Sequence, residues 1–249
     1  MEDIDRLNLK IAELEKKVEE LALEKQRVIS IVSHDLRSPL NRLFALIQLM
    51  QMDINGLSDQ QKDYLEKMHL VIADGLTMMR NLVDYRNLEY RVIETRIEPL
   101  NMTDLVRTLV KNSLAIAEKK RIELLENCEN GLIIHTDKQC AHRVLDNILS
   151  NAIKFSAPEK KVWVRLSSLT SQQVKIEIED EARGFLPEEL VKLFQKFQKL
   201  NARPTAGESS TGLGLFVAKS MADKINGEIS CRTTAGLGSV FTVVLPSIK

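Results

Sequence analysis

From Ile4 the apolar residues recur in alternating steps of three and four: Ile4, Leu7, Ile11, Leu14, Val18 and Leu21, then Val28 and Val32, with Lys25 interrupting the row. This spacing is a heptad seam, and the Glu and Lys residues between its members describe a solvated coiled-coil exterior. A single helix with such a stripe needs a partner, so the pattern predicts a parallel homodimer along residues 1–28. No Gly or Pro separates this helix from His34, so it is expected to run on unbroken. A break follows at Asp53-Ile54-Asn55-Gly56, after which Ser58 reads as the N-cap of a second helix. Along that helix Tyr64, Met68, Val71, Gly75, Met78, Leu82 and Tyr85 again step by three and four. Residues 29–92 are therefore expected to form a helical hairpin, and two copies would make a four-helix bundle.

Beyond about Tyr90 the period changes. Glu94 to Pro99 reads as the entry to a second domain, 96–249. Asn101-Met102-Thr103-Asp104 predicts a capped helix to about Lys120, and Ile122 to Cys128 a short strand. Asp137 is expected to cap a helix through Phe155. Alternation over Lys161–Ser168 and Val174–Asp180 predicts a hairpin. A helix from Gly212 to Asn226 and strands at Glu228–Thr233 and Ser239–Leu245 complete the order. The fold class is thus α plus α/β, with three helices against one sheet in the second part.

Composition narrows the function. The 249 residues carry equal numbers of basic and acidic side chains, giving no electrostatic case for nucleic acid or an anionic membrane surface. Three cysteines without a CxxC or a Cys-His cluster give neither a disulfide framework nor a zinc site. No apolar run reaches about 18 residues. The expectation is a cytoplasmic chain, or the soluble part of a membrane-bound sensor whose sensor domain lies upstream of Met1.

Candidate chemistry begins at His34-Asp35-Leu36-Arg37-Ser38-Pro39-Leu40, inside the first helix. An imidazole is a fair nucleophile toward a phosphoryl group near neutral pH, and the adjacent Asp35 carboxylate can orient it. Ser38 lies one turn on, where a hydroxyl could position a water for the reverse reaction, and Pro39 is expected to bend the helix past the site. His69, on the second helix with Asp74 five residues on, lacks an adjacent carboxylate and reads as structural.

Four signals follow in the second domain. Asn147 and Asn151 are four apart with Lys154 a turn later, so two amide oxygens could hold Mg²⁺ while an ammonium meets phosphate. Asp180 ends a strand and opens Asp180-Glu181-Ala182-Arg183-Gly184-Phe185, where a carboxylate could accept from an adenine amino group and Gly184 permits close backbone approach. Leu193-Phe194-Gln195-Lys196-Phe197 precedes a loop of small and polar residues, Asn201 to Thr211, that could close over phosphates. Thr211-Gly212-Leu213-Gly214-Leu215 opens a helix whose bare N–H groups suit a phosphate.

In this order, from coiled coil to last strand, the chain resembles the sensor histidine kinase family. The segment at His34 resembles its phosphoacceptor box and Asn147 to Ser156 its N box. Asp180 to Phe185 resembles the first glycine box, Phe194 to Phe197 the F box, and Gly212 to Leu215 the second glycine box. Gly236-Leu237-Gly238-Ser239-Val240-Phe241 resembles the closing Gly-Thr segment, with Ser239 in the threonine position. Two departures stand out: Ala182 where the family usually has glycine, and Ser38 where Thr or Asn is usual.

The resemblance implies a nucleotide domain of Bergerat (GHKL) type that binds ATP and Mg²⁺, autophosphorylation of His34, and transfer to an Asp of a separate response regulator, with phosphatase activity toward it. Asp35 would be base or orienting group, Asn147 and Asn151 would hold the metal, Lys154 and Lys196 would meet phosphates, and Asp180 would select adenine. Two alternatives remain at this stage: an ATPase or protein kinase of the same nucleotide fold without a phosphohistidine, and a non-catalytic dimeric scaffold.

Overall fold

The computed structural model describes residues 2–52, 56–89, 94–198, 200, 204–205 and 211–248, without the side chains of residues 2–9, 25–27, 30, 34 and 89. The chain divides into two compact units, Met1–Arg86 and Asn87–Lys249.

The first unit is built from α1, Glu2–Met52, and α2, which starts at Asp59 and ends at Glu89, just beyond it. Helix α1 is carried through Pro39 without interruption. At the start of α2 the Ser58 hydroxyl accepts from the Gln61 N–H (3.3 Å) while the Gln61 side-chain oxygen accepts from the Ser58 N–H (2.9 Å). This reciprocal box satisfies two donors that a helix start otherwise leaves bare. The expected break at 53–55 lies outside the described residues. The hairpin core is formed by Ile47, Leu65 and Ile72, against which Leu40, Phe44, Leu57 and Leu76 pack. A Cβ on Gly75 would lie 3.6 Å from Leu40 Cδ1, so this position lets the two helices approach closely.

The seam predicted for α2 differs in detail. Of that seam Gly75 faces Leu40 and Tyr85 is buried, but Tyr64, Met68 and Val71 remain largely exposed, and the hairpin's inner face there is the adjacent stripe through Leu65, Ile72 and Leu76. Both stripes have helical spacing, and periodicity alone does not say which one faces α1. Leu36, Leu43, Leu46 and Leu49 on α1 are also about half exposed, as are Ile11, Leu14, Val18 and Leu21 of the heptad row. The side chains of Ile4 and Leu7 lie outside the described residues. His69 stacks its ring on Phe44, with centroids 4.7 Å apart, a packing position.

The second unit opens with β1, Ile97–Asn101, and α3, Met102–Lys119, where the Asn101 side chain accepts from the Asp104 N–H as the sequence predicts. Then come β2 (Glu123–Cys128), β3 (Ile133–Asp137) and α4 (Lys138–Phe155). Asp137 caps α4 by accepting from the Cys140 N–H at 2.8 Å. Strands β4 (Lys161–Thr170) and β5 (Gln173–Asp180), the single turn α5 (Pro187–Leu190), helix α6 (Gly214–Lys224), and strands β6 (Glu228–Thr234) and β7 (Gly238–Pro246) follow.

Five strands form one sheet in the order β2-β4-β5-β7-β6, parallel only between β2 and β4, and β1 pairs with β3 in a separate two-stranded ladder. That ladder and α5 were not predicted from the sequence: β3 is too short to show an alternating pattern, and its partner is more than thirty residues away. Strands β4, β5 and β7 alternate buried and half-buried residues, so one face of the sheet carries the core. On that face Val162, Val164, Leu166, Val174, Ile176, Ile178 and Val243 meet Val106, Leu109, Leu145, Ile148 and Leu149 of α3 and α4.

Ile176 is fully buried in this layer. Ile176→Ala is expected to destabilise the chain by about 2–5 kcal/mol, through lost transfer energy and the cavity left behind. Urea denaturation of the nucleotide-free chain checks it.

Candidate functional site

At one edge of the second unit the sheet register assembles the first half of the site. The antiparallel β5–β7 ladder pairs Asp180 with Ser239, and β6–β7 pairs Ser239 with Thr233, so three polar side chains line up across three strands. The Thr233 and Ser239 hydroxyls are 3.0 Å apart, and Thr233 also donates to the Gly238 carbonyl at 2.9 Å. Asp180 and Ser239 are both buried.

The loop after Asp180 is fixed residue by residue. Asp180 Oδ1 accepts from the Ala182 N–H (2.9 Å), the Arg183 carbonyl accepts from the Gly236 N–H (2.6 Å), and Thr233 Oγ1 accepts from the Phe185 N–H (2.9 Å). Gly184 has φ +67°, and a Cβ there would run into the Thr234 carbonyl and the Thr233 hydroxyl. Gly238 has φ +130°, and its missing side chain is what lets the Asp180 carbonyl sit against it. Both positions need glycine for space as well as for conformation.

Burial pushes the Asp180 carboxyl up to about 6 from the usual carboxylate range, with a smaller upward contribution from Glu179; the backbone N–H groups of Ala182 and Ser239 oppose it. The Cys231 thiol, on β6, is pushed up to about 12 by burial and then by the Asp180 charge. The sequence reading missed Thr233. Its sole sequence signal is its place five residues before Gly238, which has meaning only once β6 and β7 are paired.

The second half lies where α4 meets the start of α6. A Cβ on Gly214 would come within 3.4 Å of Asn147 Oδ1 and 3.8 Å of Asn151 Nδ2, ordinary contact distances, so both amides face the first residue of α6 at close range. Helix α6 begins at Gly214, two residues later than expected, because Gly212 takes φ +68° and forms the turn before it. Among the described residues no side chain caps this N-terminus, whose N-cap residue is Leu213. Its first-turn N–H groups and the positive end of its dipole suit an anion beside the two amides. Asn147 is buried, and its Nδ2 has no hydrogen-bond partner among the described residues. An orphaned buried amide of this kind costs about 1–3 kcal/mol. Such a cost is tolerated where a ligand completes the bonding.

The two lysines fall at the margins of this cleft. Lys196 places Nζ 5.3 Å from the ring centroid of Phe216, in the first turn of α6. Lys154 stands in the last turn of α4, where its carbonyl accepts from the Lys120 ammonium (2.9 Å) and from the Thr205 N–H (3.2 Å). Thr205 also donates to the Ser156 carbonyl at 2.7 Å. The remainder of the expected phosphate loop, 201–203 and 206–210, lies outside the described residues.

His34, Asp35 and Ser38 belong to the first unit, all on α1. Asp35 and Ser38 are exposed, and the His34 side chain lies outside the described residues. Among the described residues no cluster of three or more His, Cys, Asp or Glu side chains forms a metal site, and no helix is long and apolar enough to cross a membrane.

Residues 136–249 match the family model of the histidine kinase-, DNA gyrase B- and HSP90-like ATPase, and residues 24–90 that of the His Kinase A (phospho-acceptor) domain. The chain is 27% identical over 240 residues to the autoinducer 2 sensor kinase/phosphatase LuxQ of Vibrio parahaemolyticus, covering 93% of this chain and 27% of that protein. It is 28% identical over 241 residues to the aerobic respiration control sensor protein ArcB of Escherichia coli K12, covering 93% of this chain and 30% of that protein. The chain therefore spans less than a third of the length of these relatives. Among solved structures it is similar to full-length ShkA in complex with AMPPNP (TM-score 0.66, 22% identity, 88% of this chain, 45% of that one). It is also similar to the Acinetobacter baumannii histidine kinase AdeS (TM-score 0.59, 20% identity, 87% of this chain, 98% of that one). These two likenesses concern the fold. With a phosphoacceptor domain and a GHKL-type ATPase domain matched in that order on one polypeptide, the chain belongs to the sensor histidine kinases of two-component systems.

Proposed function

We propose that this chain binds ATP in its second unit, phosphorylates His34, and passes the phosphoryl group to an aspartate on a separate response regulator, with phosphatase activity in the reverse sense. The observation that carries the reading is the cleft where Asn147 and Asn151 face the uncapped start of α6. Backbone N–H groups and a helix dipole suit phosphate oxygens. Two neutral amide oxygens suit a hard divalent cation. Mg²⁺ fits this donor set, with Asn147 and Asn151 as the residues that would hold it; bound there it would neutralise phosphate charge.

Asp180, aligned with Ser239 and backed by Gly184, is the adenine acceptor in this reading, and Lys154 and Lys196 meet the phosphates with Gly212 and Gly214 in the turn that receives them. On α1, Asp35 orients the His34 ring and Ser38 positions water for dephosphorylation. Phosphoryl transfer leaves little covalent chemistry to the protein, so positioning and charge compensation supply most of the rate. The exposed apolar rows of α1 and α2 support a homodimer through the hairpin and the N-terminal helix. The expected setting is cytoplasmic.

The direct test is incubation with γ-labelled ATP. The wild type should acquire an acid-labile, alkali-stable label and His34→Ala none, while ATP affinity stays nearly intact because the nucleotide residues are in the other unit. An acid-stable label, or an acid-labile one retained by the mutant, would sink the assignment.

Asp180 gives a second prediction, with opposite signs for stability and binding. Its folded pKa of about 6 stands above the ordinary 3.8, so between those values the native state holds more protons than the unfolded one. Stability is lost as pH rises through that window and stays lost above it. Asp180→Asn should therefore stabilise the nucleotide-free chain by about 1–3 kcal/mol at pH 7.5, a gain that shrinks toward pH 4. The same variant should bind ATP at least about tenfold more weakly, having lost a charge-assisted acceptor. Urea melts at both pH values and calorimetric titration read the two effects.

A third prediction concerns the 51-residue α1. One residue inserted near Lys25 rotates everything downstream by about 100° relative to the heptad row. Autophosphorylation, phosphatase activity or both should change markedly, and a seven-residue insertion should largely restore them, with both variants dimeric by light scattering. Equal behaviour of the two insertions would make the helix a passive tether.

A further inference from the structure

Arg183 sits between Ala182 and Gly184 in the loop that follows Asp180, a stretch of close backbone contacts. Its guanidinium Nη2 donates to both carboxylate oxygens of Glu189, at 2.7 and 3.0 Å. Glu189 is the third residue of α5, and its side chain is only 6% exposed, against 43% for Arg183. The same carboxylate accepts from the Leu186 N–H at 2.9 Å. A buried carboxylate held by a charged donor and a backbone donor costs far less than one left alone, so each of these partners stabilises the position of the others.

The other side of the loop is held independently. The Gly236 N–H reaches the Arg183 carbonyl, the Thr233 hydroxyl takes the Phe185 N–H, and Lys161 and Glu181 exchange two bonds between the loop's first residue and the start of β4. Backbone contacts thus anchor the loop to the sheet. The Arg183–Glu189 pair is what ties it to α5, and through α5 to the Leu193–Phe197 segment that carries Lys196.

The geometry points to Arg183 as a positioning residue of the nucleotide pocket: by pairing with the buried Glu189 through Nη2 it holds the glycine loop after Asp180 in its binding shape before nucleotide arrives. A loop already ordered loses little entropy on binding, and affinity gains by that difference. This inference rests on the reading of the second unit as the ATP site and adds a residue to it.

The test uses the full chain. Arg183→Ala should raise KM for ATP in autophosphorylation roughly tenfold with kcat little changed, because the phosphate end of the cleft is untouched. Glu189→Gln should act in the same direction, and Arg183→Lys should fall between wild type and Arg183→Ala. Without nucleotide, hydrogen exchange of residues 181–186 should quicken in Arg183→Ala while β5 and β7 keep their protection. If Arg183→Ala folds poorly, Arg183→Lys carries the comparison, since it keeps the charge and changes only the reach and shape of the donor group. Unchanged KM in every variant of a nucleotide-binding wild type overturns the inference, as does a fall in kcat and thermal stability without a change in KM. A wild type that fails to bind ATP by calorimetry overturns the ATP-site reading itself, and this inference with it.

Discussion

The contact between the Asp180 carbonyl and Gly238 is the constraint on which the adenine half of the site depends. A side chain at position 238 would collide with that carbonyl, so β5 and β7 could not run together to their ends. The pairing of Asp180 with Ser239 and of Ser239 with Thr233 follows directly from that approach. Gly184 then folds over the same strand ends, into space bounded by Thr234, Thr233 and Gly238. A polar row reaching across three strands is thus fixed by two places where the chain has no side chain at all.

The site's other half has a different origin. It arises from helix packing, α4 against α6, and from leaving a helix start without a cap. The residues involved are costly to stability: a buried carboxyl with its pKa raised, and an amide nitrogen without a partner. Sequence and structure disagree with a smooth fold at these very positions, the pattern expected where function rather than folding sets the residue.

Much of this was legible in the sequence, and its limits are physical. The caps at Ser58, Asn101 and Asp137 act through residues three apart, and each was read correctly because the interaction is local. The strands β4, β5 and β7 alternate cleanly because one face is buried. The β1–β3 ladder was missed because its bonds join distant segments and its strands are too short to show a period. The α2 stripe was right at Gly75 and Tyr85 and one row off at Tyr64, Met68 and Val71, because that helix carries two apolar rows and periodicity does not rank them. At the site, spacing was enough to nominate Asn147, Asn151, Asp180 and the glycines. Thr233 and the Arg183–Glu189 pair depend on strand register and on α5, which spacing does not encode.

Cys231 gives the molecule a chemical property of its own. Its thiol lies beside the polar row and burial pushes it up to about 12, so at neutral pH it is held as the thiol. Cys128 is raised in the same direction by its burial, and Cys140 is buried in the core. Alkylating reagents and mild oxidants act on exposed thiolates, so all three native cysteines are poorer targets than a free surface cysteine. A reporter cysteine introduced on an exposed helix position would be labelled ahead of them without replacing any, leaving the adenine end of the cleft chemically intact.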